Sequence, residues 1–289
     1  MAHHSQRLLH SFASLQQRDF RYLTFSTIAL GFGQWVQQIG LGWLVLEVTK
    51  SAAQLGVVTF IQGIMILVSS LPAGVLSDRF SRRDVIVWST SLSVAQALVL
   101  ALLVVANLAE TWHLYAFALV GGLAAGVSQP ARQAFVYDVT DRALLTNALT
   151  VNSLAQNVAR VTGPPLAGAL IGFWGTASTF FVLAALKVLA MALTMLIHTR
   201  GQVATGEKKE SALTSVVAGL RYSVGSRLIL ALLIATAIAP VLVYPYAGFL
   251  PVFAEDVLHG GPETYGILAS GVGWGSLIGL SMLAYLGDV

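Results

Sequence analysis

The chain contains no cysteine, which excludes disulfides, thiolate metal sites and a cysteine nucleophile. Charge is nearly as scarce. Only 10% of the 289 residues are Asp, Glu, Lys or Arg, against about 25% in soluble domains. With 56% hydrophobic residues, the chain is not a water-soluble globule. It has no His-Glu-x-x-His and no Gly-x-Ser-x-Gly, which argues against an intramembrane enzyme. It has no Gly-x-x-x-x-Gly-Lys loop, which argues against an ATP-driven pump. The amino-terminal MAHHSQRLLHSF lacks the apolar core and cleavage site of a secretory signal. No cofactor, metal site or nucleic-acid partner is expected.

What is present is a series of long uncharged runs. Residues 53–77 carry no charged side chain, and neither do residues 85–109. A helix of roughly 20 residues crosses a hydrocarbon core about 30 Å thick. The short charged stretch holding Asp78, Arg79, Arg82 and Arg83 therefore turns the chain at a membrane surface. Its arginines place it on the cytoplasmic side, and Ser81 with Asp84 three residues on makes a capping box for the next helix. Eight spans are expected, at about 20–46, 53–77, 84–106, 114–135, 148–173, 176–198, 228–253 and 264–286. Of the 16 Lys and Arg, all but Lys50, Arg160 and Lys187 fall on the side of that loop. The opposite turns carry Glu47, Glu110, Glu255, Asp256 and Glu263. Both ends are therefore expected in the cytoplasm, with the lipid bilayer as the first partner.

Polar residues inside the spans are the candidates for function. Gln34 and Gln38 are one helical turn apart and share a face. They serve either as interhelical hydrogen bonds or as the amide lining of a wet cavity. The fifth span is the most polar, with Asn152, Gln156, Asn157 and Arg160 before Gly163-Pro164-Pro165 and Gly168. Pro164 and Pro165 free the carbonyls of Arg160 and Val161. A charge at mid-membrane costs about 2.5–3.5 kcal/mol, so Arg160 either satisfies those carbonyls or contacts substrate. Gln34, Gln38, Gln62, Asn152, Gln156 and Arg160 form the candidate cavity set. Lys187, in the middle of the sixth span, calls for a polar partner in the bundle. Gly122-x-x-x-Gly126 presents a small-residue packing face.

The loop set Gly74, Asp78, Arg79, Arg82 and Arg83 resembles the signature between the second and third helices of major facilitator superfamily transporters. Ser81 stands where that family usually has Gly. Pro130-Ala-Arg132-Gln133, the stretch from Asp141 to Asn147, and Gly163, Pro164, Pro165 and Gly168 resemble the branch holding macrolide efflux proteins and the enterobactin exporter. The glycine–proline group is similar to the antiporter motif of exporters. The resemblance implies an all-α integral membrane protein of major facilitator fold. It also implies that the signature loop closes the cytoplasmic gate. An offset of 210 residues relates Gly56 to Gly266 and Asp78 to Asp288, a parallel repeat of the kind found in that fold. The implied division is a cytoplasmic amino terminus (1–19), a six-helix bundle (20–199), a cytoplasmic loop (200–227) and the first two helices of a second bundle (228–289). On this reading the chain stops inside the second copy of its signature loop, as if truncated.

The implied function is secondary active export of a small amphipathic compound, drug-like or siderophore-like, by alternating access in a bacterial inner membrane. A nutrient importer on the same fold and a nonfunctional truncated remnant are the alternatives. Protons enter as coupling ion by analogy alone. The arginine that many drug/proton antiporters carry in the fourth span would fall near Ala118, where there is no charge.

Overall fold

The computed structural model describes residues 13–201, 225–238 and 245–286. After a 3₁₀ turn at Ala13–Gln16 come α1 (Arg18–Thr49), α2 (Ala52–Arg79), α3 (Arg82–Val105), α4 (Thr111–Val139), α5 (Leu145–Trp174) and α6 (Thr176–Met195). Beyond the connecting stretch lie α7 (Arg227–Ile238), α8 (Pro245–Val252) and α9 (Pro262–Leu286), with a single π turn at Phe253–Val257. There is no strand among the described residues.

The breaks between helices have local causes. Lys50 ends α1 in the left-handed region, at φ 51°. Ser81 caps α3 by accepting from the Asp84 N–H at 3.2 Å, as the capping box requires. Glu110 and His113 form a reciprocal cap at the start of α4. Gly175, at φ 77°, makes the turn from α5 to α6, a conformation that glycine adopts without a Cβ clash.

On length and apolarity, residues Ala52–Ser70 of α2 and the whole of α3, α4 and α6 qualify as membrane spans. α1 and α5 are longer, at 32 and 30 residues, or about 48 and 45 Å at 1.5 Å per residue. Their amides and Arg160 lower their apolarity without shortening them. Of the expected seventh span, the described residues lie in α7, in α8 and at the start of the π turn, and Pro240 lies outside the described residues.

α1 sits at the centre, packed on α5 and α6, while α2 packs on α4 and α3 on α4 and α6. One buried cluster gathers Ile39, Leu44, Leu100, Phe117, Phe180 and Leu183, with the Phe117 and Phe180 rings edge-to-face at 5.7 Å. The other gathers Phe20, Leu23, Ile86, Phe135, Val136 and Ile197 toward the arginine-rich end.

Lipid is as apolar as leucine, so helices in a bilayer are held by close approach more than by hydrophobicity. Two contacts show this. A Cβ at Gly122 would lie 2.6 Å from the Gln62 carbonyl oxygen, and one at Gly126 2.4 Å from that of Ile66. α2 and α4 therefore run side by side in backbone contact along the Gly-x-x-x-Gly face. α9 meets α5 the same way: a Cβ at Gly168 would lie 2.5 Å from the Pro262 carbonyl oxygen, and one at Gly266 2.5 Å from that of Pro164. α2 begins at Ala52 and α9 at Pro262, 210 residues apart.

Candidate functional site

The register between helices can be read from their closest contacts. Gly31 faces Ala159 and Gly163 faces Trp35, so residue n of α1 lies level with residue n + 128 of α5, and the two helices run parallel. Gly40 faces Thr179 and Gly33 faces Leu186, so α6 runs antiparallel to α1. Arg160 and Lys187 therefore leave their helices at one level, that of Phe32, on opposite flanks of α1.

On α5, Ala159 and Gly163 face α1, while Val161, Pro164 and Gly168 face α9. Gln156 and Arg160 project between these two contacts; Gln156 is exposed and Arg160 partly buried. Nearer the far end the same strip carries Ala167, which is fully buried. α1 shows the same gradient. Gln34 and Gln38 are exposed, whereas Leu41 and Gly42 one turn on are buried. Gly42 packs on the ring of Tyr265 from α9, where a Cβ would lie 3.0 Å from the hydroxyl. The result is a cleft between α1, α5 and α9. It is open toward the arginine-rich end and closed at the other by Gly168, Gly266, Gly42 and Tyr265.

Gln34, Gln38, Gln156 and Arg160 thus share one cleft. Asn152 is partly buried on the same helix as Gln156, one turn nearer the arginine-rich end. Gln62 belongs to a different contact, that of α2 with Gly122 of α4. The Arg160 guanidinium makes no hydrogen bond or ion pair among the described residues, neither to the span-one amides nor to the carbonyls freed by Pro164 and Pro165. Both prolines sit inside an unbroken α5. An open depression of about 620 Å³ beside Glu110, Trp112 and Tyr115 holds none of these residues.

Two further cations lie within the helices. Lys187 is 8% exposed and donates to Gln37 Oε1 at 2.9 Å, which supplies its expected polar partner. By Gly121, where the Gln37 Nε2 also lies, both amide atoms of Gln96 are buried without a partner among the described residues. The second is Arg132. The sequence pattern places it near the inner end of a span closing at about residue 135, but α4 continues to Val139. Its guanidinium donates to Thr27 Oγ1 at 2.9 Å and Ser26 Oγ at 3.5 Å. The adjacent hydroxyls of Ser26 and Thr27 were the available signal; nothing in the sequence paired them with α4.

At the arginine-rich end the charges have partners. Arg82 holds both carboxylate oxygens of Asp138 at 2.7 Å. Arg83 donates from its backbone to the Arg200 carbonyl at 3.3 Å and from its side chain to that of Met195. Gly201, at φ 83°, lies over the Arg82–Asp138 pair, where a Cβ would come 2.8 Å from Asp138 Oδ2. Arg79 is exposed. Gly74 and Asp78 lie on α2, and their side-chain environments are outside the described residues. Asp19, just before the first expected span, accepts from the N–H groups of His198 and Thr199 at 3.2 and 2.8 Å and from the Thr199 hydroxyl at 2.7 Å. Burial opposes its ionisation, but these bonds and the nearby His198 outweigh it and hold the carboxyl below its ordinary range.

The family model described as transmembrane secretion effector, within the major facilitator superfamily, matches residues 9–289. The chain is 26% identical over 275 residues to the staphyloferrin A transporter of Staphylococcus aureus, covering 93% of this chain and 68% of that one. It is 27% identical over 207 residues to the multidrug efflux pump Tap of Mycolicibacterium fortuitum, covering 69% of this chain and 51% of that one. It therefore spans between half and about two thirds of the length of these relatives. Its fold matches a bacterial homologue of the human lysosomal transporter Spinster, solved inward-facing and unoccupied. The TM-score is 0.73 at 15% identity, covering 93% of this chain and 62% of that one. The nucleoside transporter NupG matches with a TM-score of 0.69 at 14% identity, covering 93% and 68%. A helical fold shared with transporters, together with a family match across nearly the whole sequence, makes this chain an integral membrane member of the major facilitator superfamily, in its transmembrane secretion effector family.

Proposed function

We propose that this protein is a secondary active transporter that exports a small amphipathic compound by alternating access. The observation that carries the reading is the cleft lined by Gln34, Gln38, Gln156 and Arg160, open at one end of the bundle and closed at the other. Polar groups at mid-membrane are costly unless they face protein or water, and a substrate path is where they are useful. Named relatives that export drugs or handle a siderophore favour a path over an enzyme site.

The arginine-rich end faces the cytoplasm by the positive-inside rule. The Asp78–Arg83 loop is the cytoplasmic gate; of the motif Gly163, Pro164, Pro165 and Gly168, Pro164 and Gly168 form the surface on which α9 closes the opposite side, while Gly163 packs on Trp35 of α1. Residues 20–199 act as one six-helix bundle and residues 228–289 as a second unit, joined by the loop at 200–227. Rocking of one against the other, as in transporters built from repeats, would move the opening from one face to the other. Protons are the proposed coupling ion.

The absence of native cysteine makes the test direct. Single cysteines at 34 and 156 should react with an impermeant thiol reagent from the cytoplasmic side at rest. With substrate under an energised membrane they should become reactive from the outside. Labelling from one side only under every condition would rule out alternating access through this cleft.

A further inference from the structure

The charges inside the helices all have one sign. Arg132, Arg160 and Lys187 lie well within α4, α5 and α6, whereas every acidic residue of the described helices sits within about one turn of a helix end or in the π turn. Among the described residues none of the three cations meets a carboxylate: Arg132 is answered by two hydroxyls, Lys187 by an amide oxygen, and Arg160 by nothing. They also lie at successive levels along α1. The Arg132 guanidinium lies at the level of Thr27, Arg160 leaves α5 at the level of Phe32, and the Lys187 ammonium reaches the level of Gln37. That is a spread of about 15 Å at 1.5 Å per residue. Lys187 binds the Gln37 oxygen while the Gln37 Nε2 lies against Gly121 of α4 beside the Gln96 amide, so of the three cations Arg160 is the one that stands in the cleft.

We propose that the transported compound is an anion bearing carboxylate groups, bound by Arg160 in the cleft it shares with Gln34, Gln38 and Gln156. This rests on the transport reading and specifies its substrate class. A site that has not supplied its own counter-charge in a low-dielectric medium disfavours a cationic substrate by Coulomb repulsion. It favours one whose carboxylates complete the hydrogen bonding of a guanidinium, which pairs with them in bidentate fashion.

The experiment is energised accumulation into inverted membrane vesicles, with the protein expressed from its complete native reading frame. The probes are calcein, a polycarboxylate dye, and ethidium, a cation. Calcein should accumulate and ethidium should not. Arg160→Gln should reduce calcein accumulation about tenfold or more, while Arg160→Lys, which keeps the charge but not the bidentate fork, should retain part of it, which separates loss of charge from misfolding. Accumulation of ethidium alone, or of both dyes equally, overturns the anion assignment and leaves the transporter reading standing. Accumulation of neither overturns the transporter reading and the assignment with it. Undiminished calcein transport by Arg160→Gln overturns the role given to Arg160.

Discussion

The two ends of the charge distribution behave differently. At the arginine-rich surface Arg82 is paired with Asp138, Arg83 with the Met195 carbonyl, and Asp19 with Thr199 and His198. At mid-bundle Arg132, Arg160 and Lys187 have no ionic partner among the described residues. Removing one member of a buried ion pair leaves the other uncompensated and is destabilising, whereas replacing an uncompensated charge by an apolar group of similar volume is neutral or stabilising. The first set of charges therefore holds the fold together, and the second is held in place by a fold that gains no stability from it.

The largest expected effect is at the paired end. Asp138→Ala should lower stability by about 2 kcal/mol, less than a fully buried pair because Arg82 is partly open to solvent. Thermal unfolding in detergent measures it, and an unchanged midpoint would show that this pair is as weak as an exposed one. Gly201→Ala should follow at about 1–2 kcal/mol, since its positive φ and the nearby Asp138 oxygen both oppose a Cβ. A silent substitution there would mean that the 198–201 segment is not anchored on the pair.

Lys187→Met should move the midpoint the other way, with a gain of about 1 kcal/mol and loss of transport, the trade-off expected of a functional site. A lower midpoint would make Lys187 a structural residue and remove the contrast. The smallest effect is at Asp19. Its folded pKa lies below the unfolded value, so its contribution is fully present above the ordinary carboxylate range near pH 3.8. That contribution disappears as pH falls through the lower folded pKa. The stability difference between wild type and Asp19→Asn should thus be constant at neutral pH and shrink only below about pH 4. A difference that already shrinks well above pH 4 would show that the Asp19 carboxyl is not held below its ordinary range.

Much of the frame is legible along the chain because its causes are local or one-dimensional. The Ser81 cap needs three residues, the signature loop a dozen, and the Gly122–Gly126 face one turn and a half. The start of α9 follows from the 210-residue offset. The α5–α9 contact shows where that legibility stops. Gly271, Gly275 and Gly279 form the regular stripe in the sequence, yet all three face open space, and Gly266 and Gly273 make the contact instead. A stripe of small residues permits close approach, but the neighbouring helix decides which stripe is used.

Hydropathy and the placement of arginine determined that this chain is a membrane protein built of long helices, because the bilayer imposes length, apolarity and charge asymmetry on any sequence that crosses it. Tertiary packing alone decided that Arg132 reaches Ser26 and Thr27, that Lys187 meets Gln37, and that Gln34, Gln38, Gln156 and Arg160 open on a common cleft. These residues are 100 or more positions apart or on separate helices. Their meeting depends on how far each helix is rotated about its axis, which is set by backbone contacts at Gly31, Gly163, Gly168 and Gly266 with neighbours that no local pattern identifies.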